Sequence, residues 1–200
     1  VGVCVRWGRV EDAQALAAVH VRAWQEGYAG LLPQDLLDGL RPQDRLPRWT
    51  STLSAADPPR SGTLVAEGEL PGGVGTTGEG LVGFLQLGPA RDPVEPAGSS
   101  GAAAPVESVG EVMSCYVDPA AWHHGVGRAL MTAALEALAE AGHDRASLWV
   151  LEGNDRAIAF YRRTGWVLDG TRKGDVVGGR DITDLGMRYG LARRREDRRP

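Results

Sequence analysis

The stretch that most constrains this chain runs Tyr116-Val117-Asp118-Pro119-Ala120-Ala121-Trp122-His123-His124-Gly125-Val126-Gly127-Arg128-Ala129-Leu130-Met131. An apolar strand, Val109 to Val117, enters a turn, then a glycine-bearing loop, then a long helix from Gly127 to Ala141. A helix that starts just beyond a strand end presents unsatisfied backbone N–H groups at the positive end of its dipole, an arrangement suited to a pyrophosphate. Gly125 and Gly127 carry no Cβ, so a phosphate can approach the backbone closely. The plain alternative is a tight turn that lets the helix pack closely.

A second region narrows the choice. Leu148-Trp149-Val150-Leu151 reads as a buried strand, and Asn154 or Asp155 can cap a helix that ends near Thr164 with Gly165 as its stop. Asn154, Ile158 and Tyr161 share one face of that helix by its period. The first stretch resembles the acyl-CoA-binding motif of the GNAT superfamily of N-acetyltransferases, Gln/Arg-x-x-Gly-x-Gly/Ala, with Trp122 standing where Gln or Arg is usual. His123 and His124 occupy sites that are often Arg, Gly or Lys. The second region resembles that superfamily's Asn-x-x-Ala-x-x-Phe-Tyr-x-x-x-Gly-Phe, matching at Asn154, Ala157, Phe160, Tyr161 and Gly165, with Trp166 for the last Phe. The two lie about one helix and one strand apart, as in the superfamily.

Ahead of these regions the chain reads as a strand over Val3 to Trp7 and a helix from about Val10 to Tyr28. Two further helical stretches follow, one opened by Pro33 and one over Pro42 to Ser54, then strands Thr63 to Glu67 and Leu81 to Leu87. Trp166 to Leu168 and Ile182 to Tyr189 supply the last strands, linked at Gly178-Gly179. Gly73-Val74-Gly75-Thr76-Thr77-Gly78 formally matches a dinucleotide fingerprint but leads into a strand, whereas that fingerprint must open a helix. The expected class is a mixed α/β (α+β) fold in one domain over 1–190. Irregular loops are expected at 68–80 and 88–108, and a disordered Arg-rich tail at 191–200. The resemblance implies a twisted mixed sheet of about seven strands flanked by about four helices, splayed between the fourth and fifth strands where the cofactor binds.

Two hundred residues, 24% charged and 42% hydrophobic, are ordinary for one globular domain. A net charge of −4 argues against a nucleic-acid partner, although the tail carries five Arg between Arg193 and Arg199. That tail reads as a solvated end, with a nucleic-acid or intersubunit contact as the sharper alternative. Two distant cysteines, Cys4 and Cys115, give neither a disulfide framework nor a zinc site, and suggest a reducing cytoplasm. No apolar run is long enough to span a membrane, and no metal is expected. A homodimer is compatible with the sequence.

The resemblance implies an N-acetyltransferase that moves an acetyl group from acetyl-CoA to a primary amine, small-molecule or peptide, by direct attack in a ternary complex. The alternative is a non-catalytic acyl-CoA sensor that keeps the loop and lacks the acid–base pair. By the same analogy the backbone of Cys115, Tyr116 and Val117 pairs with the pantetheine arm, and an N–H near Tyr116 or Val117 polarises the thioester carbonyl. The N–H groups of His123, His124, Gly125, Val126, Gly127 and Arg128 hold the pyrophosphate. Tyr161, protonated at neutral pH, is the candidate acid for the departing thiolate. Asn154 bonds the pantetheine arm or positions a water. Glu111 is the candidate base acting through water, with a solvated strand end as the other reading. A period of two puts it on one face with Met113 and Cys115. Trp24, Tyr28 and Leu32 are candidates for the acceptor wall or else core packing. His20 reads either as a pocket group or as a satisfied helix histidine. Cys115 has no local His to make it a nucleophile.

Overall fold

A computed structural model of the chain describes residues 2–68, 80–91 and 108–191. Seven strands form one sheet in the order β1-β2-β3-β4-β5-β7-β6: β1 Cys4–Trp7, β2 Gly62–Glu67, β3 Leu81–Pro89, β4 Val109–Val117, β5 Arg145–Leu151, β6 Val167–Val177 and β7 Arg180–Gly190. Every neighbouring pair is antiparallel except β4 with β5, which is parallel. The helices are α1 Ala13–Gly27, α2 Gln34–Gly39, α3 Pro42–Ser54, α4 Val126–Glu140 and α5 Asp155–Arg163. α2 and α3 are the two helical stretches expected after Pro33 and over Pro42 to Ser54, and the extended backbone of Leu40 and Arg41 keeps them apart. Pro42 sits in the first turn of α3, where its missing N–H costs no helix bond.

The sheet is covered on both faces. Leu130, Met131, Ala134 and Leu138 of α4 meet Leu64, Ala66, Leu85, Leu87 and Val112 on one side, with Ile158 of α5 and Trp166 in the same cluster. Leu16, Val19 and Trp49 of α1 and α3 meet Val65, Leu81 and Phe84 on the other. Alternation along β2, Leu64 and Ala66 one way and Val65 the other, is what a strand buried on both faces requires. Truncating a fully buried Leu such as Leu130 to Ala should cost about 2–5 kcal/mol. A third cluster joins Val21, Leu32, Leu37, Leu40 and Leu151, with Trp24, Tyr28, Val177 and Ile182 packed against it. It fixes the β6–β7 hairpin under α1 and α2, and so shapes one wall of the cleft described below.

At the chain's start Arg6 of β1 donates to both oxygens of Asp12, each at 2.8 Å, and to Glu67 of β2. The Arg6 hydrogen bond holds the Asp12 carboxyl below its ordinary range. β6 is longer than Trp166–Leu168: it reaches Val177 and turns at Gly178-Gly179, both in the left-handed region that a tight hairpin turn demands. β3 likewise continues through Gly88 and Pro89, into the first expected positions of the 88–108 loop. Most of both expected loops, the Gly-x-Gly-x-x-Gly at 73–78 and the Arg-rich tail fall outside the described residues. Among the described residues no helix is long and apolar enough to cross a membrane.

Candidate active site

β4 and β5 pair only from Val109–Arg145 to Val112–Leu148, and then part. The gap opens into a cleft of about 720 Å³. Beyond Val112, β4 keeps β3 on one side and has no strand on the other, so one edge of Met113 to Val117 faces the cleft with its backbone groups unpaired to any strand. The pairing to β3 also steps from Leu87–Val112 to Gln86–Ser114, which leaves Met113 as a bulged residue. An inserted residue reverses the alternation beyond it. Glu111 therefore shares its face with Ser114 and Tyr116, and not with Cys115 as an unbroken period of two predicts. Cys115 instead packs toward the α4 core.

Glu111 is 2% exposed and is not among the described residues that line the cleft. Its carboxylate accepts the Arg91 backbone N–H at 2.9 Å, and the Arg91 guanidinium engages both oxygens. Arg91 itself reaches the cleft wall. Glu111 thus sets the position of a cation, and its oxygens are already occupied.

The loop between β4 and α4 is tied down before it turns. Asp118 accepts Ala120 N–H at 3.0 Å and is gripped by Arg22 of α1 at 2.7 Å. The Trp122 indole donates to the Val117 carbonyl at 2.9 Å, and the Arg156 guanidinium lies 3.4 Å over the Trp122 ring. Trp122 thus closes the end of β4 and holds a cation at the cleft. His123 and Gly125 both have positive φ, 66° and 83°. His124 turns back to donate from Nδ1 to the Trp122 carbonyl at 2.8 Å and is absent from the described cleft lining, whereas His123 lines it.

α4 has Gly125 at its N-cap and no side chain capping it, and its first described bond to the cap runs from Ala129 N–H to Gly125 O at 3.0 Å. The N–H groups of Val126, Gly127 and Arg128, all cleft-lining residues, are left without helical acceptors. α5 is the contrast: Asn154 Oδ1 accepts Ala157 N–H at 3.1 Å, so that helix start is capped by its own chain. A Cβ at Gly127 would lie 3.3 Å from Phe160 Cζ, so the ring packs close against this turn of α4. Arg128, Arg156 and Arg163 put three cations in the lining of the same cleft.

Tyr161 lines the middle of the cleft, half-buried, and its burial, with Cys115 and Tyr116 beside it, pushes its phenol well above 10. It therefore keeps its proton at neutral pH and can donate it in a hydrogen bond. Burial pushes the Cys115 thiol up to about 12, so it is no nucleophile at neutral pH. Asn154, Ile158 and Tyr161 all face inward as their spacing predicted, with the Asn154 carbonyl spent on the cap.

The predicted acceptor-wall residues Trp24, Tyr28 and Leu32 line the same cleft. Tyr28 is coupled by a hydrogen bond to Tyr116, and burial raises both phenols. His20 does not reach the cleft lining. It stacks on Tyr116, with centroids 5.2 Å apart, and accepts the Trp49 indole N–H at Nδ1. Burial, with Arg45 and Arg48 nearby, lowers its pKa to about 3. Trp149, Lys173, Asp175, Ile182 and Asp184 also line the cleft, and Arg48 joins them from α3. Lys173 and Asp175 were missed because the sequence reading ends β6 at Leu168; Arg48, Trp149, Ile182 and Asp184 lie on expected elements, but only the tertiary arrangement turns them to the cleft. The usable signal was the alternation Lys173, Asp175, Val177 and Ile182, Asp184 on either side of the glycine turn.

The family model described as Acetyltransferase (GNAT) family matches residues 24–166. The uncharacterized N-acetyltransferase YuaI of Bacillus subtilis (strain 168) is 29% identical over 161 residues, 80% of this chain and 78% of that protein. Among solved structures, PaiA N-acetyltransferase from Thermoplasma acidophilum, in complex with coenzyme A, superposes with a TM-score of 0.65 at 18% identity, over 95% of this chain and 99% of that one. Ribosomal-protein-alanine N-acetyltransferase from Brucella melitensis gives a TM-score of 0.63 at 22% identity, over 94% and 99%. At these identities the structural likeness speaks for the fold.

Proposed function

The chain belongs to the GNAT acetyltransferase family, and we propose that it moves an acetyl group from acetyl-CoA to a primary amine, small-molecule or peptide, by direct attack within one ternary complex. The observation that carries this reading is the uncapped start of α4, with the N–H groups of Val126, Gly127 and Arg128 free, in a cleft that three arginines also line and that the β4–β5 splay opens. Such a site fits a pyrophosphate and holds it chiefly through backbone. The relative solved with coenzyme A shares this fold, which supports the choice of cofactor.

In this reading the His123-to-Arg128 loop binds the pyrophosphate, with His124 serving through its backbone alone. The free edge of β4 at Cys115, Tyr116 and Val117 pairs with the pantetheine arm. The bulge at Met113 leaves backbone N–H groups on that edge for the thioester carbonyl. The Val117 carbonyl is already taken by Trp122, so the pairing uses the groups before it. Tyr161 donates a hydrogen bond to the departing thiolate. Its phenol lies well above 10 and a thiol near 8.5, so complete proton transfer to sulfur is uphill and the hydrogen bond itself does the stabilising. Trp24, Tyr28 and Leu32 form the acceptor wall, and Glu111 acts by positioning Arg91 rather than by taking a proton.

The test is thiol release from acetyl-CoA across a library of primary amines, run beside Tyr161→Phe. An enzyme slows by about 10²-fold or more at nearly unchanged CoA affinity. A non-catalytic acyl-CoA sensor binds the cofactor, releases no amine-dependent thiol, and is indifferent to the substitution.

A further inference from the structure

Resting on that acetyltransferase reading, we infer that Asp184 of β7 docks the ammonium group of the acceptor and takes its first proton. Among the described residues lining the cleft the cations are Arg48, Arg91, Arg128, Arg156, Arg163 and Lys173, and the only acids are Asp175 and Asp184. An amine in water arrives as a cation, and the rest of this cleft repels it. The two acids stand on β6 and β7, with β5 between them and the strand that feeds the phosphate loop. Asp184 pairs with Leu151 of β5, three residues past Leu148, where β4 and β5 part. It lies on the same face as Trp149, two residues back along β5 and opposite Gly186. Leu151, Tyr28, Leu32 and Ile182 belong to one apolar cluster beside it.

Its carboxylate is also available. Among the described residues it forms no hydrogen bond and no ion pair, although it is half-buried. Glu111, the acid suggested by the sequence, has its oxygens occupied by Arg91 and lies off the cleft. The groups facing Asp184 are Lys173 and Asp175 from β6 and Tyr28 from the end of α1, and β5 contributes the uncharged Leu151 and Trp149. The ion pair of Glu152 with Arg172, at 2.6 Å, stands on the neighbouring strand ends. Burial raises the proton affinity of Asp184, Asp175 raises it further, and Lys173 restrains it. The same desolvation lowers that of an ammonium, so both partners move toward the neutral pair that attack requires.

The proton balance follows. One N–H bond of the ammonium breaks and its proton goes to the Asp184 carboxylate, which frees the nitrogen lone pair. That lone pair forms the C–N bond, and the C–S bond breaks with its electron pair leaving on sulfur. The nitrogen's second surplus proton ends on the thiol through solvent and the Tyr161 hydrogen bond, and Asp184 returns its proton to water. The site therefore fits a primary amine attached to an apolar or aromatic body, seated among Trp24, Tyr28, Leu32 and Trp149.

The test compares wild type, Asp184→Asn and Asp184→Glu as full chains, with tryptamine, phenethylamine, butylamine and 1,4-diaminobutane as acceptors. Thiol release is followed from pH 6 to 10, and amine affinity for the CoA-bound protein is measured by calorimetry. For Asp184→Asn we expect kcat/KM to fall about 10²-fold or more near pH 7, with the deficit shrinking toward pH 10 as the amine deprotonates unaided. Amine affinity should weaken by about tenfold while CoA affinity stays within about twofold. Asp184→Glu should regain part of the activity. An Asp184→Asn enzyme within about threefold of wild type at every pH overturns the assignment, as does a loss that tracks weakened CoA binding and keeps the wild-type pH profile. Wild-type protein that binds CoA and releases no thiol with any amine overturns the acetyltransferase reading itself, an outcome separate from any contrast among the variants.

Discussion

His20 turns a packing detail into a measurable pH dependence. Its ring is 5% exposed, stacked on Tyr116 and fixed by the Trp49 indole, and burial lowers its pKa to about 3. In the unfolded chain it titrates near 6.5. Below that value the unfolded chain binds a proton that the folded chain refuses, so stability is full above pH 6.5 and declines as pH falls toward 3. The slope is about 1.4 kcal/mol per pH unit, which amounts to a loss of roughly 2 kcal/mol between pH 7.5 and pH 5. Burial lowers the pKa of His143 as well, so the comparison needs a variant. His20→Gln keeps an acceptor for the Trp49 N–H and removes the titration. Urea unfolding at pH 7.5 and pH 5 should show wild type losing about 2 kcal/mol more than His20→Gln, or roughly 4–8 °C in melting temperature. Equal losses in the two proteins would refute the claim that His20 is held neutral behind the acceptor wall.

Three further outcomes follow from the same geometry. Gly127→Ala should leave stability within about 1 kcal/mol of wild type by thermal melting, because the helix preference for Ala offsets the 3.3 Å approach of its methyl to the Phe160 ring, and Phe160→Leu in the same chain should shift the balance toward stabilisation. Arg156→Ala removes the cation held over Trp122 and should weaken CoA binding in calorimetry by about 0.5–2 kcal/mol, with a smaller effect at high salt. Asp12→Asn should destabilise by about 1.5–3 kcal/mol at neutral pH. The Asp12 carboxyl is held low by Arg6, so its contribution is present above about pH 4 and disappears as pH falls through the folded value; acid unfolding curves of the variant should be flatter there.

The sequence made the glycine loop and the capped α5 legible because both rest on local chemistry: a residue with no Cβ, a cap whose oxygen accepts an N–H three residues on. α3 matches the expected Pro42 to Ser54 for the same reason, with Pro at its first turn. The bulge at Met113 left no such trace, since it exists only in the pairing with β3, and it reversed the face assigned to Glu111. β6 was short in the reading because an edge strand that is mostly exposed shows little apolar alternation, and its length comes from pairing with β7. Asp175 went unread with it, and Asp184, on an expected strand, shows its place in the cleft only once β5 and β7 pair. Tyr161 could be named from a motif, but how firmly it holds its proton follows from burial that the fold creates.

Calorimetric titration of the full chain with acetyl-CoA and with free CoA tests the central claim most directly. One saturable site, with Kd on the order of micromolar and present for both ligands, is the predicted result, because the affinity resides in the phosphate loop and its arginines. A folded sample that gives no binding heat at about millimolar CoA would contradict it.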